Sequence, residues 1–501
     1  MSDRRDAASA FDSRRAILLL AVGLTVIRLI AGASIHLTED EAYYRLWAQH
    51  LQLGYFDHPP MIAWWIRVGT LICGDTPLAV RLLPALAAGL NTWLIGDLAR
   101  TLGASPRTAL RAALWYNATI TVCLGAMLAI PDAPASLFWT ITLCCLARTQ
   151  KDEGAGWWLA AGLAAGLAVM SKYSALFLAP GVLLWLAVTP GGLKTLRRPG
   201  PWLAAVIAMT VFAPNVIWNA LNHWESFAKQ FGRVAPEGFS PAHAAEFLAT
   251  QFLLLTPLIA VLAGMGVARG WKGGQVNLRL PIAASAPFAA YLLAHSLHDR
   301  VQGHWPVPLF GALAICAAVA ADHLGERPWA AWVRRLAPAP GFLVLAAVLA
   351  IMALPSPGKI ARYDPMLQLR GWPGFARDIE AERIAAGAAW VGTQSYGVYS
   401  QLEFEGGVHA PLLQVTDRDR YRKDGATLPD FARPGLIVDL SRRLKVEDVG
   451  RCFTSVTPVA EINRAGSPRK NEHYSAYLVS GPRRDVWIIG CPQEIHPGVW
   501  R

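Results

Sequence analysis

Residues 16–35 read AILLLAVGLTVIRLIAGASI, an apolar run broken by one charge, Arg28. Before it stand Arg4, Arg5, Arg14 and Arg15, and after it comes the acidic turn Thr38-Glu39-Asp40-Glu41. About twenty residues at ~1.5 Å each give ~30 Å of helix, the thickness of a bilayer's hydrocarbon core. Ala31-Gly32-Ala33 would suit signal-peptide cleavage, but Arg28 at a bilayer centre would cost roughly 2.5–3.5 kcal/mol. The run therefore reads as a retained anchor, with Arg28 near its outer end or facing other helices.

The remaining chain has the same texture. Of 501 residues, 54% are apolar and 16% charged, against about 25% charged in soluble domains. This excludes an ordinary soluble enzyme, a disordered regulator and a coiled coil. The net charge of +11 comes in short clusters between apolar runs, not along one polar face, so it points to a membrane and to no nucleic acid. Further runs lie at 78–99, 108–128, 133–149, 157–170, 174–189, 202–219, 246–268, 279–297, 306–323 and 340–355. With the first they predict about eleven transmembrane helices, within a range of about 10–13. The stretch 59–73, with Trp64, Trp65 and Arg67, predicts an outer-face interfacial helix.

Alternate loops carry the base: Arg100, Arg107 and Arg111; Arg148 and Lys151; Lys194, Arg197 and Arg198; Arg269 and Lys272; Arg327, Arg334 and Arg335. By the positive-inside rule those loops and residues 1–15 are cytoplasmic. The intervening loops collect His36, Asp40, Glu41, Asp57, His58, Asp132, Lys172, His223, His243, Asp299 and His304 on the outer side. Trp47, Trp64, Trp65, Trp218, Trp224 and Trp305 suit one aromatic belt, and Trp202, Trp329 and Trp332 the other. Residues 16–355, with a first outer loop at 36–77, thus form the membrane domain. Residues 356–501 predict a small outer α/β domain, with a helix over 373–386 and strands near 389–393, 436–440, 474–480 and 486–490. Five cysteines lie in or beside membrane helices as packing residues, and Cys452 and Cys491 could pair in an oxidising compartment.

The outer-face residues carry the chemistry. Three successive carboxylates, Glu39, Asp40 and Glu41, follow the anchor, and one of them placed near sugar hydroxyls can serve as a general base. Thr38 or Asp40 can equally cap a helix over 41–50. His58 before Pro59-Pro60 can bind a phosphate, bind a metal or cap a helix. Asp132 in Pro131-Asp132-Ala133-Pro134 starts a span, where the helix dipole alone would favour it. Lys172 in a short outer turn breaks the charge bias and suits an anionic headgroup, or snorkels. His295, His298, Asp299, Arg300, His304 and Trp305 crowd another turn without a tight metal pattern. Together these groups suit transfer to a hydroxyl or phosphate with departure of a membrane-anchored phosphate. No nucleotide-binding motif is seen, so a lipid-linked sugar is the expected donor.

In this order and spacing, Asp40-Glu41, Tyr55-Phe56-Asp57-His58-Pro59-Pro60, Pro131-Asp132-Ala133-Pro134, Ser171-Lys172-Tyr173-Ser174, Asn222-His223-Trp224 and His304-Trp305-Pro306 resemble the bacterial branch of the dolichyl-phosphate-mannose–protein mannosyltransferase family. Gly371-Trp372, Phe375-Ala376 and Ser395-Tyr396-Gly397 resemble the family's outer C-terminal domain. The resemblance implies a polytopic α-helical glycosyltransferase of the C superfold (GT-C) in the bacterial inner membrane, multi-pass, with a cytoplasmic N-terminus and a periplasmic C-terminal domain. It implies sugar transfer from a polyprenyl-phosphate donor to lipid A, lipopolysaccharide core or another envelope acceptor, with inversion. No cofactor is required, and a divalent metal is compatible with the scheme. Carried over by position, Asp40 is the catalytic base with Glu41 beside it, and Lys172 and His58 face the donor phosphate. Asp132 supports the acceptor side, in a pocket with Tyr55, Asp57, His223, Arg300, His304 and Trp305. The aminoarabinose branch carries Lys where His58 stands and Arg where Tyr43 stands, so Arg81 is the candidate for the missing charge. The alternatives are a protein O-glycosyltransferase of the same fold, or a transporter or flippase of lipid-linked or anionic substrates. A transporter predicts broken helices, mid-membrane charge and an internal repeat.

Overall fold

The computed structural model describes residues 2–152, 154–232, 238–272, 274, 276–354, 364–416, 420, 429–444, 446–464 and 472–483. The expected strand at 486–490 and Cys491 lie outside the described residues. In chain order the first helices are α1 (Ser2–Ser34), α2 (Glu39–Gln49), α3 (Met61–Cys73), α4 (Pro77–Thr101), α5 (Pro106–Ala118), α6 (Ile120–Gly125) and α7 (Asp132–Thr149). Then come α8 (Ala155–Val169), α9 (Leu178–Val188), α10 (Pro199–Leu221), α11 (Glu225–Gly232), α12 (Pro241–Leu254) and α13 (Pro257–Gly270). Next are α14 (Arg279–His295), α15 (Phe310–Asp322), α16 (Pro328–Leu336) and α17 (Ala339–Ala353). The last are α18 (Trp372–Ala385), α19 (Tyr396–Glu405) and α20 (Val446–Gly450). Caps set many starts: Thr76 and Ser105 accept backbone N–H groups of α4 and α5, each with proline at the next position.

Two compact units result, Met1–Ala33 with Leu51–Leu349, and Ser34–His50 with Ala350–Arg501. The helical unit has an apolar core with Trp115, Trp139 and Phe288 fully buried. Its outward helix faces are apolar too, as at Leu19, Ile30, Val206 and Met209, the arrangement lipid demands rather than water. Among the described residues, four helical stretches are long and apolar enough to cross a bilayer: Asp12–Ser34, Pro77–Thr101, Pro199–Leu221 and Pro328–Ala353. The other expected runs carry shorter or interrupted apolar helices.

The run 246–268 departs from expectation. Instead of one straight span it forms α12 and α13, bent by 106°. Pro257 opens α13 and disfavours helical backbone at Thr256 before it, and Thr256 takes a φ of 66°. Arg28 faces the helix bundle, 3% exposed, and donates to Asn117 Oδ1 at 2.8 Å.

Among the described residues, the second unit is built on five strands: β1 (Trp390–Thr393), β2 (Leu412–Gln414), β3 (Gly435–Leu440), β4 (Phe453–Asn463) and β5 (His473–Pro482). Their order is β2-β1-β3-β5-β4, parallel at β2-β1-β3 and antiparallel at β3-β5-β4. Central β3 is buried along its whole length, as expected of an apolar run covered on both faces. The edge strand β4, which the sequence reading lacked, carries Pro458 at a register shift, where edge strands tolerate proline. Trp372 and Phe375 of α18 pack with Val391, Leu436, Val438 and Tyr474. α2 packs on α19 in this same unit, with Gln401 Nε2 donating to Leu37 O at 2.8 Å and His36 paired with Glu405. Trp47, expected in an aromatic belt, is 2% exposed here and lies edge-on to Tyr43. Cys452 is disulfide-bonded.

Candidate functional site

In the helical unit the site begins with an ion pair. Asp132 opens α7, and Lys172 ends the turn after α8 and leads into a 3-10 turn over Tyr173–Phe177. Lys172 Nζ donates to both Asp132 oxygens, at 2.7 and 2.8 Å. The side chains are 14% and 4% exposed, so two charges are withdrawn from water, which costs several kcal/mol per ion unless each is well paired. His304 Nε2 lies 3.8 Å from Asp132 Oδ2, and His58 is within electrostatic reach of the same carboxylate. Asp132 and His304 line a cavity of about 50 Å³ together with Asn91, Tyr116, Ser136 and apolar residues of α4, α6 and α7. The structure thus brings Lys172, Asp132, His304 and His58 together.

Tyr55 and Asp57 lie in the loop that leads to His58, and that loop is held down by polar groups the sequence reading missed. Asn215 Nδ2 donates to Leu53 O at 2.9 Å, Trp218 Nε1 to Gln52 Oε1 at 3.0 Å, and Gln230 Nε2 to Asp57 O at 2.6 Å. Tyr55 is buried; its N–H donates to His58 O and its hydroxyl accepts from Gln52 N. Gly54 allows the approach, since a Cβ there would stand 2.6 Å from the Trp218 ring. Asn215 and Asn219 in turn bond to the Tyr173 hydroxyl, beside Lys172. Two asparagines one helical turn apart in an apolar run were the available signal.

The other expected residues are placed elsewhere. Arg81 is buried at the contact of α4 with α1, where its NH1 donates to Gly32 O at 2.6 Å. Arg300 pairs with Glu246 at 3.2 Å, both about half exposed. Trp305 lies against His295, ring centroids 5.7 Å apart. His223 is exposed, and it and Trp224 both take positive φ, 54° and 58°, a conformation costing roughly 1 kcal/mol or more at each non-glycine position.

Asp40 and Glu41 belong to the second unit. Glu41 is fully buried in a capping box: its Oε2 accepts from Thr38 N at 2.9 Å, and its N–H donates to Thr38 Oγ1 at 3.2 Å. Glu39 lies against the first turn of α19, where a Cβ on Gly397 would stand 2.4 Å from its Oε2. Burial holds the Glu39 carboxyl above the usual carboxylate range; Arg443 opposes this, and Asp40 and Asp439 add to it. Asp40 alone of the three is exposed, and its Oδ1 accepts from the Tyr396 hydroxyl at 2.7 Å. The Arg420 guanidinium lies 5.0 Å from the Tyr396 ring centroid and 5.7 Å from that of Tyr43. A solvent-facing carboxylate on a rigid helix start can accept a proton; a carboxylate inside a capping box is already committed. Among the described residues no group of three or more His, Cys, Asp or Glu is placed to hold a metal.

Residues 57–218 match the family model described as dolichyl-phosphate-mannose-protein mannosyltransferase. The chain is 28% identical over 318 residues to the lipid A galacturonosyltransferase RgtD of Rhizobium johnstonii, covering 61% of this chain and 65% of that protein. It is 32% identical over 187 residues to undecaprenyl phosphate-alpha-4-amino-4-deoxy-L-arabinose arabinosyl transferase 1 of Pseudomonas fluorescens, covering 34% of this chain and 32% of the relative. These matches span less than two thirds of the relatives' own length. In fold, the chain resembles ArnT from Cupriavidus metallidurans bound to undecaprenyl phosphate, with a TM-score of 0.62 at 17% identity, covering 91% of this chain and 97% of that one. The fold is thus of the GT-C type, mostly helical with a small C-terminal sheet, and the resemblance read from the sequence holds.

Proposed function

We propose that this chain is an inner-membrane glycosyltransferase that takes a sugar from a polyprenyl-phosphate donor and passes it to lipid A, lipopolysaccharide core or another envelope acceptor. The observation that carries the proposal is the Lys172 ammonium held by Asp132, a carboxylate that lines, with His304, a cavity among apolar helices. Two of its three N–H donors are spent on Asp132, and among the described residues the third is available to a phosphate oxygen. In our scheme Asp40 accepts the proton of an acceptor hydroxyl as that oxygen attacks the anomeric carbon. The bond to the donor phosphate breaks as the new bond forms, with inversion, and the role of Lys172, His58 and His304 in the helical unit is to stabilise the departing phosphate. The relatives named for lipid A and for an undecaprenyl-phosphate sugar favour the same chemistry.

About eleven crossings, a cytoplasmic N-terminus and a periplasmic second unit complete the proposal. The alternation of Lys and Arg supports it, and so does the disulfide at Cys452, which suits an oxidising compartment. A transporter is favoured by one observation, the bent pair α12 and α13. Mass spectrometry of lipid A and core oligosaccharide from wild type, deletion and Asp40→Asn strains at equal protein level separates the readings. Loss of one sugar mass in both mutants supports transfer. A wild-type profile with Asp40→Asn removes Asp40 as the base, and identical lipopolysaccharide in all three removes this acceptor class.

A further inference from the structure

We infer that Tyr396, at the first position of α19, is a positioning residue for the Asp40 carboxylate, its hydroxyl donating to Oδ1 and keeping that carboxylate ionised and aimed at the acceptor. The inference rests on the proposed role of Asp40 as the base. It brings the C-terminal unit into the chemistry: α19 supplies a donor to a carboxylate that sits more than 350 residues earlier in the chain.

The placement is built, not incidental. Asp439 of β3 is fully buried, and its Oδ2 accepts the N–H groups of Gln394 and Ser395 at 2.8 and 2.7 Å, which fixes the turn just before Tyr396. Arg443 NH1 reaches Ser395 Oγ at 3.4 Å. Gly397, just after, has no Cβ to push Glu39 away. The Tyr396 ring stands 4.9 Å from that of Tyr43, and Arg420 covers both. A cation over a phenol ring is attracted to its face and makes the hydroxyl a stronger donor. Donation to a carboxylate favours its charged form. Among the described residues, the charged or titratable groups of this unit near Asp40 include Glu39 and Glu41 on its own helix, Tyr43, Tyr396 and Arg420, with Arg443, Asp439 and Arg464 acting on Glu39. Tyr396 is the one among them whose contact with Asp40 a phenylalanine removes while leaving the ring for Arg420.

The test uses the full chain in nanodiscs and a water-soluble carbodiimide, which labels protonated carboxyls; Asp40 labelling is followed against pH by peptide mass spectrometry. Tyr396→Phe should raise the half-labelling pH of Asp40 by about one unit, and Arg420→Gln should raise it by less. With lipid A as acceptor, polyprenyl-phosphate-linked galacturonic acid and polyprenyl-phosphate-linked 4-amino-4-deoxyarabinose are supplied in turn. With the donor that wild type accepts, Tyr396→Phe should lower kcat about tenfold and shift the acid limb of the rate profile upward with little change in KM. An unmoved half-labelling pH overturns the inference while leaving Asp40 as the base. A shifted limb with full activity in Asp40→Asn is excluded by the scheme; full activity in Asp40→Asn removes the base assignment itself, a distinct failure.

Discussion

Asp132 and Asp40 both stand in the first turn of a helix, one in each unit, and the sequence offers the same helix-dipole argument for both. Their surroundings separate them. Asp132 is buried and neutralised by Lys172, whereas Asp40 is exposed and meets a neutral hydroxyl. The first is a carboxylate whose charge holds a cation; the second, in the scheme proposed above, keeps its charge for a proton. The same contrast runs inside the acidic turn, where Glu41 is tied to Thr38 and Glu39 is pressed against α19.

The sharpest break of this contrast is Asp40→Asn. Loss of a general base should slow transfer by about a hundred- to ten-thousand-fold, with the thermal midpoint of the purified protein unchanged because the side chain is exposed. Near-normal turnover would put Asp40 on the same structural footing as Asp132. Next comes Lys172→Met, which strands a buried carboxylate and should destabilise the helical unit by about 3–5 kcal/mol. Adding Asp132→Leu should recover much of that stability, read as the thermal midpoint in detergent, without recovering transfer. Recovery of transfer in the double variant would remove Lys172 from the donor phosphate.

How much of this was legible follows from the range of each interaction. Apolar runs report lipid or core burial locally, so helices lie on every expected run, and the strands near 389–393, 436–440 and 474–480 fall on β1, β3 and β5. The break at Thr256-Pro257 was also local, but the surrounding hydrophobicity outweighed it in the reading. Lys172 and Asp132 were each singled out, yet their pairing joins positions 40 apart in sequence, and no periodicity encodes it. Arg81 is expected at the phosphate because a charge is missing there, and its bond to the Gly32 carbonyl, 49 positions away in sequence, is a contact no local pattern encodes. Tyr396 comes to Asp40, and Arg420 to the Tyr396 ring, only through the tertiary fold of the second unit.

Glu41 sharpens the contrast at smaller scale. Glu41→Ala should remove its half of the capping box and lower the thermal midpoint by the equivalent of about 1 kcal/mol. Glu41→Gln should keep the cap, and transfer should fall far less than in Asp40→Asn for both. A collapse of turnover in Glu41→Gln with an unchanged midpoint would move the base from Asp40 to its neighbour.

The smallest effect belongs to Glu39 and concerns pH. Burial raises its folded-state pKa above the ordinary value of 4.5. Between those two values the folded chain holds more protons than the unfolded one, so the stability this group contributes is present at the lower pH and is lost as pH rises through the folded value. Thermal midpoints of the full chain from pH 4 upward should therefore contain a falling component that Glu39→Gln removes. The amide keeps the shape that fits against Gly397 and carries no charge to desolvate, so the variant should match or exceed wild type at neutral pH. A midpoint curve identical in wild type and variant would mean that Glu39 ionises without penalty. The acidic turn would then hold two carboxylates available for proton transfer, and the contrast between Asp40 and its neighbours would rest on Glu41 alone.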